Sequence, residues 1–352
     1  MTGKAPTIYD IAREAGVSIA TVSRVMGGRE NVSAKTRDKV EKVARRYAYQ
    51  PSTIARGLEH HMERTIGIVV QDLRNPYYNR MLCAAEEEAQ KYGYDVWLYR
   101  PPQGEDYSED DIVDRLIARG LSGAFIAGGI VEASRADLPG AIHRLRQHMP
   151  VALICPPIHN LDCICLYYDL ATAAAQVVRH LNMLGHRRIA FVGGAGLLQT
   201  SGARGEGFLA ALRELGLEDV EKYRHEGGYN PEAGEIGVLK LLGGCEKKEW
   251  PTAIVCFNDM VALGALKQLK QMNLRVPQDM AVVGFDNDFF SAYTDPPLTT
   301  VDLHPDSQAR AAINELMTTG AQTVAPFTLM RDATLIIRES CGVKLGRREF
   351  AE

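Results

Sequence analysis

Thr21, Ser23 and Arg24 sit at outward positions of one short helix-forming stretch, and the chemistry open to them is hydrogen-bond recognition. Small hydroxyls enter a DNA major groove without clashing, and one guanidinium can grip guanine O6 and N7. A second set of recognition groups lies far along the chain, after apolar runs with the character of strands. It comprises Gln71-Asp-Leu-Arg-Asn-Pro-Tyr-Tyr, Arg204, Tyr229, Asn258-Asp259 and Asp286-Asn287. Polar and aromatic groups at strand ends suit a small polar ligand. Catalytic patterns are missing: there is no G-x-x-x-x-G-K-[ST], H-E-x-x-H or G-x-S-x-G, and Gly120-Leu-Ser-Gly-Ala fails at its last residue. Gly194-Ala-Gly196 opens like a dinucleotide fingerprint, but Gln199 stands where the third glycine is needed. Cys163-x-Cys165 has no second ligand pair, and His60-His61 reads as a solvated linker. Neither a metal nor a cofactor is expected.

The elements that must position these residues follow from periodicity. Thr7 precedes Ile8, Ile11, Ala12 and Ala15, which fall on one helix face, with Asp10 near the positive helix end. Gly16 supplies the left-handed residue that ends this helix, and Val17 plugs the small core. Ser18 caps a second helix over 19–26, with Val22, Val25 and Met26 inward, and Gly27-Gly28 stops it. Two short helices joined by a glycine turn make a helix-turn-helix. Ser33 caps a third helix, with Val40, Val43, Ala44 and Tyr47 inward and Lys35, Arg37, Lys39 and Lys42 outward near phosphates. The stretch from Pro51 carries an interior Gly57 and is a marginal helix alone.

Charge agrees with this division. Residues 1–60 hold eleven Lys/Arg against six Asp/Glu, a balance of +5, whereas the whole chain is −4, leaving −9 on the rest. A basic head on an acidic body suits a head that meets a polyanion. Seven scattered cysteines fit a reducing compartment, and the N-terminus lacks an apolar leader core, so a cytoplasmic, nucleoid-associated protein is expected. No uncharged apolar run reaches eighteen residues, so no membrane partner is expected.

From residue 65 the pattern alternates. Strands are expected at 66–70, 95–99, 124–127, 151–155, 189–193, 253–257 and 281–285. Helices are expected at 80–91, 109–119, 172–184, 207–215, 232–242 and 260–272, a doubly wound α/β plan. Nearly 290 residues exceed one comfortable sheet, which implies two lobes. Asp259 reads equally as a ligand contact or a helix cap, and Asn75 as a contact or the shaper of the turn before Pro76.

Thr7-Ile-Tyr-Asp-Ile-Ala-x-x-Ala-Gly-Val-Ser-x-x-Thr-Val-Ser-Arg-Val and Pro51-Ser-x-x-Ala-Arg-x-Leu resemble the head and hinge signatures of the LacI/GalR repressor family. The resemblance runs to about residue 340. It implies a small all-α helix-turn-helix domain (1–50), a hinge helix and linker (51–64) and a two-lobed α/β periplasmic-binding-protein-like core (65–352). The first lobe would span about 65–165 and 300–330, the second about 166–299 and 331–345, with crossovers near 164–170, 288–302 and 328–334. Arg24 would read a base, with Ile19 and Ala20 beside it. Thr7, Tyr9, Ser18, Thr21, Ser23, Asn31, Ser33 and Thr36 would position the head on the DNA backbone. Leu58 would wedge into the minor groove, with Ala55 beside it and Arg56 close by. Arg204 and Asp286 would be the main hydrogen-bonders to an effector, with Tyr77, Tyr78, Tyr229 and Asn258 lining the cleft.

Two departures are visible: Ile19 and Ala20 are apolar where readout begins, and Leu170 follows Asp169 where the family often has Asn. The function expected is a dimeric repressor of a palindromic operator, answering to a sugar, sugar acid or related metabolite. The rival expectation is a solute-binding protein for a sugar, without a role at DNA; no heptad repeat follows Cys341 to suggest a tetramer.

Overall fold

The computed structural model describes residues 7–26, 32–47, 64–102, 108–128, 138–155, 163–194, 199–217, 223–243, 246–319 and 327–345. It divides into two compact units, residues 1–65 and 66–352. Asn31, Ala55, Leu58 and the rest of the expected hinge through residue 63 lie outside the described residues.

The first unit holds α1 (Ile8–Ala15), α2 (Ile19–Met26) and α3 (Ala34–Arg46). The Asp10 carboxylate closes the first turn by accepting from the Thr7 amide (3.0 Å) and hydroxyl (2.7 Å). Gly16 adopts φ +59°, and the amide of Val17 returns to the Ala12 carbonyl, which ends α1 and turns the chain. α2 and α3 start alike: Ser18 accepts from the Thr21 amide (3.1 Å) and Ser33 from the Thr36 amide (3.3 Å). Ile11, Ala12, Ala15, Val22, Val25 and Val40 form the core, with Val17, Met26, Val32 and Val43 packed against it. Tyr47, expected inward, is 41% exposed, because α3 stops at Arg46 and Tyr47 falls on its C-cap.

The second unit contains two parallel sheets. In chain order its elements begin with β1 (Thr65–Val70), α4 (Pro76–Lys91), β2 (Asp95–Tyr99), α5 (Glu109–Ala118), β3 (Gly123–Ala127), α6 (Leu138–Arg146), β4 (Val151–Ile154) and β5 (Ile164–Tyr168). Next come α7 (Leu170–Met183), β6 (Ile189–Val192), α8 (Gln199–Glu214), β7 (Arg224–His225), α9 (Pro231–Leu242), β8 (Ala253–Cys256), α10 (Asp259–Gln271) and β9 (Ala281–Val283). The last are β10 (Thr300–Asp302), α11 (Pro305–Thr319), β11 (Phe327–Arg331) and β12 (Thr334–Ile336). The first sheet has the order β2-β1-β3-β4-β5-β11, the second β7-β6-β8-β9, and β10 pairs antiparallel with β12.

Alternation along the strands builds the two faces of the first sheet. Ile66, Ile68, Val70 and Phe125 pack under α4 and α11 with Met81, Ala85, Ile313 and Leu316. Val69, Ala124, Ile126 and Leu153 face α5 and α6 with Ile112, Leu116, Ile142 and Leu145. Covering both faces explains the near-continuous apolar runs.

All seven expected strands overlap observed ones, but the stretch expected as the first crossover carries β5. Ile164 to Tyr168 pair in register with β4 and β11, so the first sheet extends to Tyr168. The chain passes between the halves after Tyr168, between Asp302 and Pro305, and between Arg331 and Thr334. The middle passage falls just beyond the expected 288–302, because β10 stays with the second half by pairing with β12. Helices α6 and α11 are additional to the six expected, and α8 begins well before the expected residue 207.

Glycine sets the spacing of the helix pairs on the second sheet. A Cβ at Gly207 would lie 2.0 Å from the Ala171 carbonyl oxygen, one at Gly234 2.0 Å from that of Val261, and one at Gly264 1.8 Å from that of Pro231. Helices α7/α8 and α9/α10 therefore touch backbone to backbone.

Candidate functional site

In the head, Tyr9 is 68% exposed and Ile19 41%, and Ala20 and Arg24 also lie on the open surface. Thr21 and Thr36 are half-buried, their hydroxyls each 2.9 Å from the capping serine's Oγ. Ser18 and Ser33 are exposed, and Thr7 stands at the α1 N-terminus beside Tyr9. Ser23 lies within α2. The second helix thus presents one long cation beside short side chains, with the exposed N-terminus of α3 following it.

The second unit holds a cleft of about 500 Å³. Its location follows from strand order. In the first sheet the chain leaves β1 for β2 on one side and leaves β3 for β4 on the other, and in the second sheet β6 leads to β7 and β8 to β9 in the same opposed way. A crevice opens at the carboxyl end of such a reversal. Here two reversals contribute: Gln71, Asp72 and Gly128 follow β1 and β3, and Phe257 and Asn258 follow β8. Tyr77, Tyr78, Arg204, Tyr229, Asn258 and Asp286 all line the cleft.

Local structure places each of them. Asn75 caps α4 by accepting from the Tyr77 amide (3.0 Å), so it shapes the turn and also lines the cleft. Tyr77 and Tyr78 meet edge to face, and the Tyr78 hydroxyl donates to Gln71 Oε1 (3.2 Å). A Cβ on Gly128, at φ +79°, would lie 2.7 Å from that hydroxyl, so glycine keeps the wall open. Asn258, rather than Asp259, caps α10: its Oδ1 accepts from the Val261 amide (2.8 Å) and its Nδ2 donates to the Tyr229 carbonyl (3.0 Å). Asn258 is thereby occupied in fixing Tyr229. Leu170, buried at the start of α7, adds apolar wall to the cleft.

Arg204 is buried at 5% exposure. One guanidinium nitrogen donates to the Phe257 carbonyl (2.8 Å), and another stands 3.5 Å from Asp286 Oδ1. Its carbon lies 4.3 Å from the Phe257 ring centre and 5.0 Å from that of Phe285. Its Nε–H has no hydrogen-bond partner among the described residues. Asp286 takes φ +102° and Asn287 φ +50°, conformations that cost of order 1–3 kcal/mol each and persist where surroundings enforce them. Burial pushes the Asp286 carboxyl up to about 6, against the pull of Arg204 and Arg80.

Sequence reading missed several lining residues. Tyr168 ends the unrecognised β5, Phe257 falls in the expected strand 253–257, and Glu232 falls in the expected helix 232–242, whereas Gln71 and Arg74 belong to the strand-end stretch already expected to face a ligand. A strand over 164–168 was the available signal for Tyr168.

Asp259 and Asp288 lie behind Asp286. Asp259 accepts from the Thr300 hydroxyl (2.6 Å) and the Asp288 amide (2.8 Å), and burial raises it well above the carboxylate range. Neither Asp288 oxygen has a partner among the described residues, and burial followed by the Asp286 charge pushes it up to about 8. The folded state therefore holds a proton on Asp288 that the unfolded chain releases near its ordinary value. Stability from this group is present at low pH and is lost as pH rises from about 4 to 8, with a slope of at most ~1.4 kcal/mol per pH unit. Asp288→Asn is expected to gain on the wild type steadily from pH 5 to pH 8 in thermal melts. A constant difference across that range would contradict it.

Among the described residues no cluster of three or more His, Cys, Asp or Glu side chains is placed to hold a metal ion. None of the described helices is long and apolar enough to cross a membrane.

A helix-turn-helix joined in one chain to an α/β unit with a polar, aromatic-walled cleft is the plan of a DNA-binding regulator. Residues 7–52 match the model of bacterial regulatory proteins of the lacI family, and residues 178–341 match the periplasmic binding protein-like domain. The chain is 32% identical to the HTH-type transcriptional repressor CytR of Escherichia coli (strain K12), over 96% of each chain. It is 34% identical to catabolite control protein A of Priestia megaterium, over 84% of this chain and 86% of that one. The lac repressor dimer bound to operator and the anti-inducer ONPF superposes with a TM-score of 0.75 at 25% identity, covering 96% of this chain and 99% of that one. The chain belongs to the LacI family, whose members are DNA-binding transcriptional regulators and not enzymes.

Proposed function

We propose that the protein represses transcription from a palindromic operator as a homodimer in the cytoplasm, at the nucleoid, under control of a neutral, hydroxyl-rich metabolite of sugar type. The observation that carries the effector half is the buried Arg204–Asp286 pair. It offers a cation and a carboxylate in one aromatic-walled cleft, with the Arg204 Nε–H lacking an acceptor among the described residues. Hydroxyl groups can donate to the carboxylate and accept from the guanidinium, while Tyr77, Tyr229 and Leu170 cover the apolar faces of a ring. The six effector-site residues named from sequence would act together here, with Asn258 acting through Tyr229.

At the head, Arg24 would read guanine with Ile19 and Ala20 against thymine methyls. Thr7, Tyr9, Ser18, Thr21, Ser23, Asn31, Ser33 and Thr36 would hold phosphates, and Leu58, flanked by Ala55, would open the central step. The domain limits proposed remain 1–50, 51–64 and 65–352. A dimer accords with the lac repressor, whose structure is a dimer on operator. It also accords with apolar side chains left exposed on neighbouring helices, Ile236 and Leu239 on α9 and Leu263 on α10.

Two experiments test the proposal. A thermal-shift screen of the full-length protein against sugars, sugar acids and nucleobases is expected to find a neutral polyhydroxylated compound that raises the melting temperature. Preference for anionic compounds alone would contradict the chemistry assigned to the pair. Arg24→Ala is expected to cost about 1–3 kcal/mol at one base-pair position of the operator and to relax the choice of base there. An unchanged base preference in a binding-site selection would remove Arg24 from readout.

A further inference from the structure

We infer that Arg80 is a positioning residue for the cleft: it pins the strained Asp286–Asn287 backbone of the second half to helix α4 of the first. The inference rests on reading the cleft as an effector site, since it concerns where the Asp286 carboxylate is held. Arg80 lies outside the cleft lining, one turn along α4 from Tyr77. One of its nitrogens donates to two consecutive carbonyls, those of Asp286 (3.2 Å) and Asn287 (3.1 Å). The other binds Asp306 at the start of α11 (2.6 Å) and stands 3.7 Å from Asp302 on β10.

Asp286 and Asn287 are the two consecutive residues with positive φ at the end of β9. The carbonyls that Arg80 holds are theirs, so the fork grips the place where the backbone is strained. Strain of this kind survives only when something external fixes it. Arginine suits the task because its planar fork serves two carbonyls and a carboxylate at once; lysine offers one point charge. The same contact crosses from α4, which carries Tyr77 and Tyr78, to the loop that carries Asp286. It therefore ties the aromatic wall to the carboxylate and fixes the distance a ligand must span.

Amide hydrogen exchange in the full-length protein, without ligand, tests this. The amides of Gly284, Asp286, Asn287 and Asp288 are all hydrogen-bonded and so begin protected. Arg80→Gln is expected to raise exchange across 284–288 at least tenfold while leaving β6 and β8 unchanged. Arg80→Lys, which can keep Asp306 but not both carbonyls, is expected to show most of the same rise. Unchanged exchange at 284–288, an equal rise in β6 and β8, or full rescue by lysine would each overturn the inference. No ligand is added, so failure of the effector reading would show separately, as an empty thermal-shift screen with this exchange pattern intact.

Discussion

Asp286→Ala is expected to leave operator binding intact and to abolish its response to the effector. The substitution removes the buried carboxylate that a ligand hydroxyl would meet and leaves Arg204 buried without its acid. A hydrogen bond to a charged group contributes about 1.5–3 kcal/mol, so ligand affinity is expected to fall roughly 10- to 150-fold. The head is separated from this change in sequence and in unit, so its intrinsic contacts with DNA persist. Titration supplies a second signature. Burial raises this carboxyl to about 6, and only the ionised form accepts freely from a hydroxyl. Wild-type affinity is expected to drop about tenfold from pH 7 to pH 5, following the ionised fraction. Asp286→Asn is expected to bind weakly without that dependence. Calorimetric titrations at the two pH values check both statements, and a pH-independent wild type would detach the carboxylate from the ligand.

Gly264→Ala is expected to be the most damaging alanine substitution among the described glycines. The added carbon would sit 1.8 Å from the Pro231 carbonyl oxygen, so α9 and α10 must separate along the face where Gly234 also meets backbone. Overpacking costs typically 1–3 kcal/mol, and backbone-to-backbone contact places this case at about 3 kcal/mol or more. A melting-temperature drop on the order of 6–12 °C follows for a unit of this size. Gly140→Ala is the control: nothing lies within 4 Å of its new carbon, and the helix propensity of alanine favours the change by up to about 1 kcal/mol. Comparable melting temperatures for the two variants would contradict the close helix contact.

What the sequence made legible was local. Ser18, Ser33 and Gly16 announce the helix boundaries of the head because capping chemistry acts within four residues. The central strands β1, β3, β6 and β8 are legible because burial on both faces forces continuous apolar runs. What stayed hidden depends on partners far away. β10 and β12 have three residues each and exist by pairing across 32 to 36 positions. β11 shows Thr328 and Met330 to solvent on the sheet edge, so its pattern is weak. The glycine-rich start of α8 looks unlike a helix, and Gly207 is there because α7 leaves no room for a side chain. Arg80 carries no local signal at all, since its partners lie more than two hundred residues on.

The same division holds for the cleft. Strand ends located its residues, yet Arg204 and Asp286 were singled out by family resemblance rather than by spacing. The structure adds how the two are held: two phenyl rings flank the guanidinium, and a strained backbone carries the carboxylate.

The proposed homodimer pairs two heads, one from each chain, to read a specific DNA sequence. Selection of bound sequences from random duplex DNA by the full-length protein tests it most directly. The prediction is a two-fold symmetric site, with half-sites spaced as two heads require and binding far tighter than to random duplex at the same salt concentration. Recovery of sequences with no shared motif, at affinities no better than random DNA, would contradict it and leave the cleft as that of a solute-binding protein.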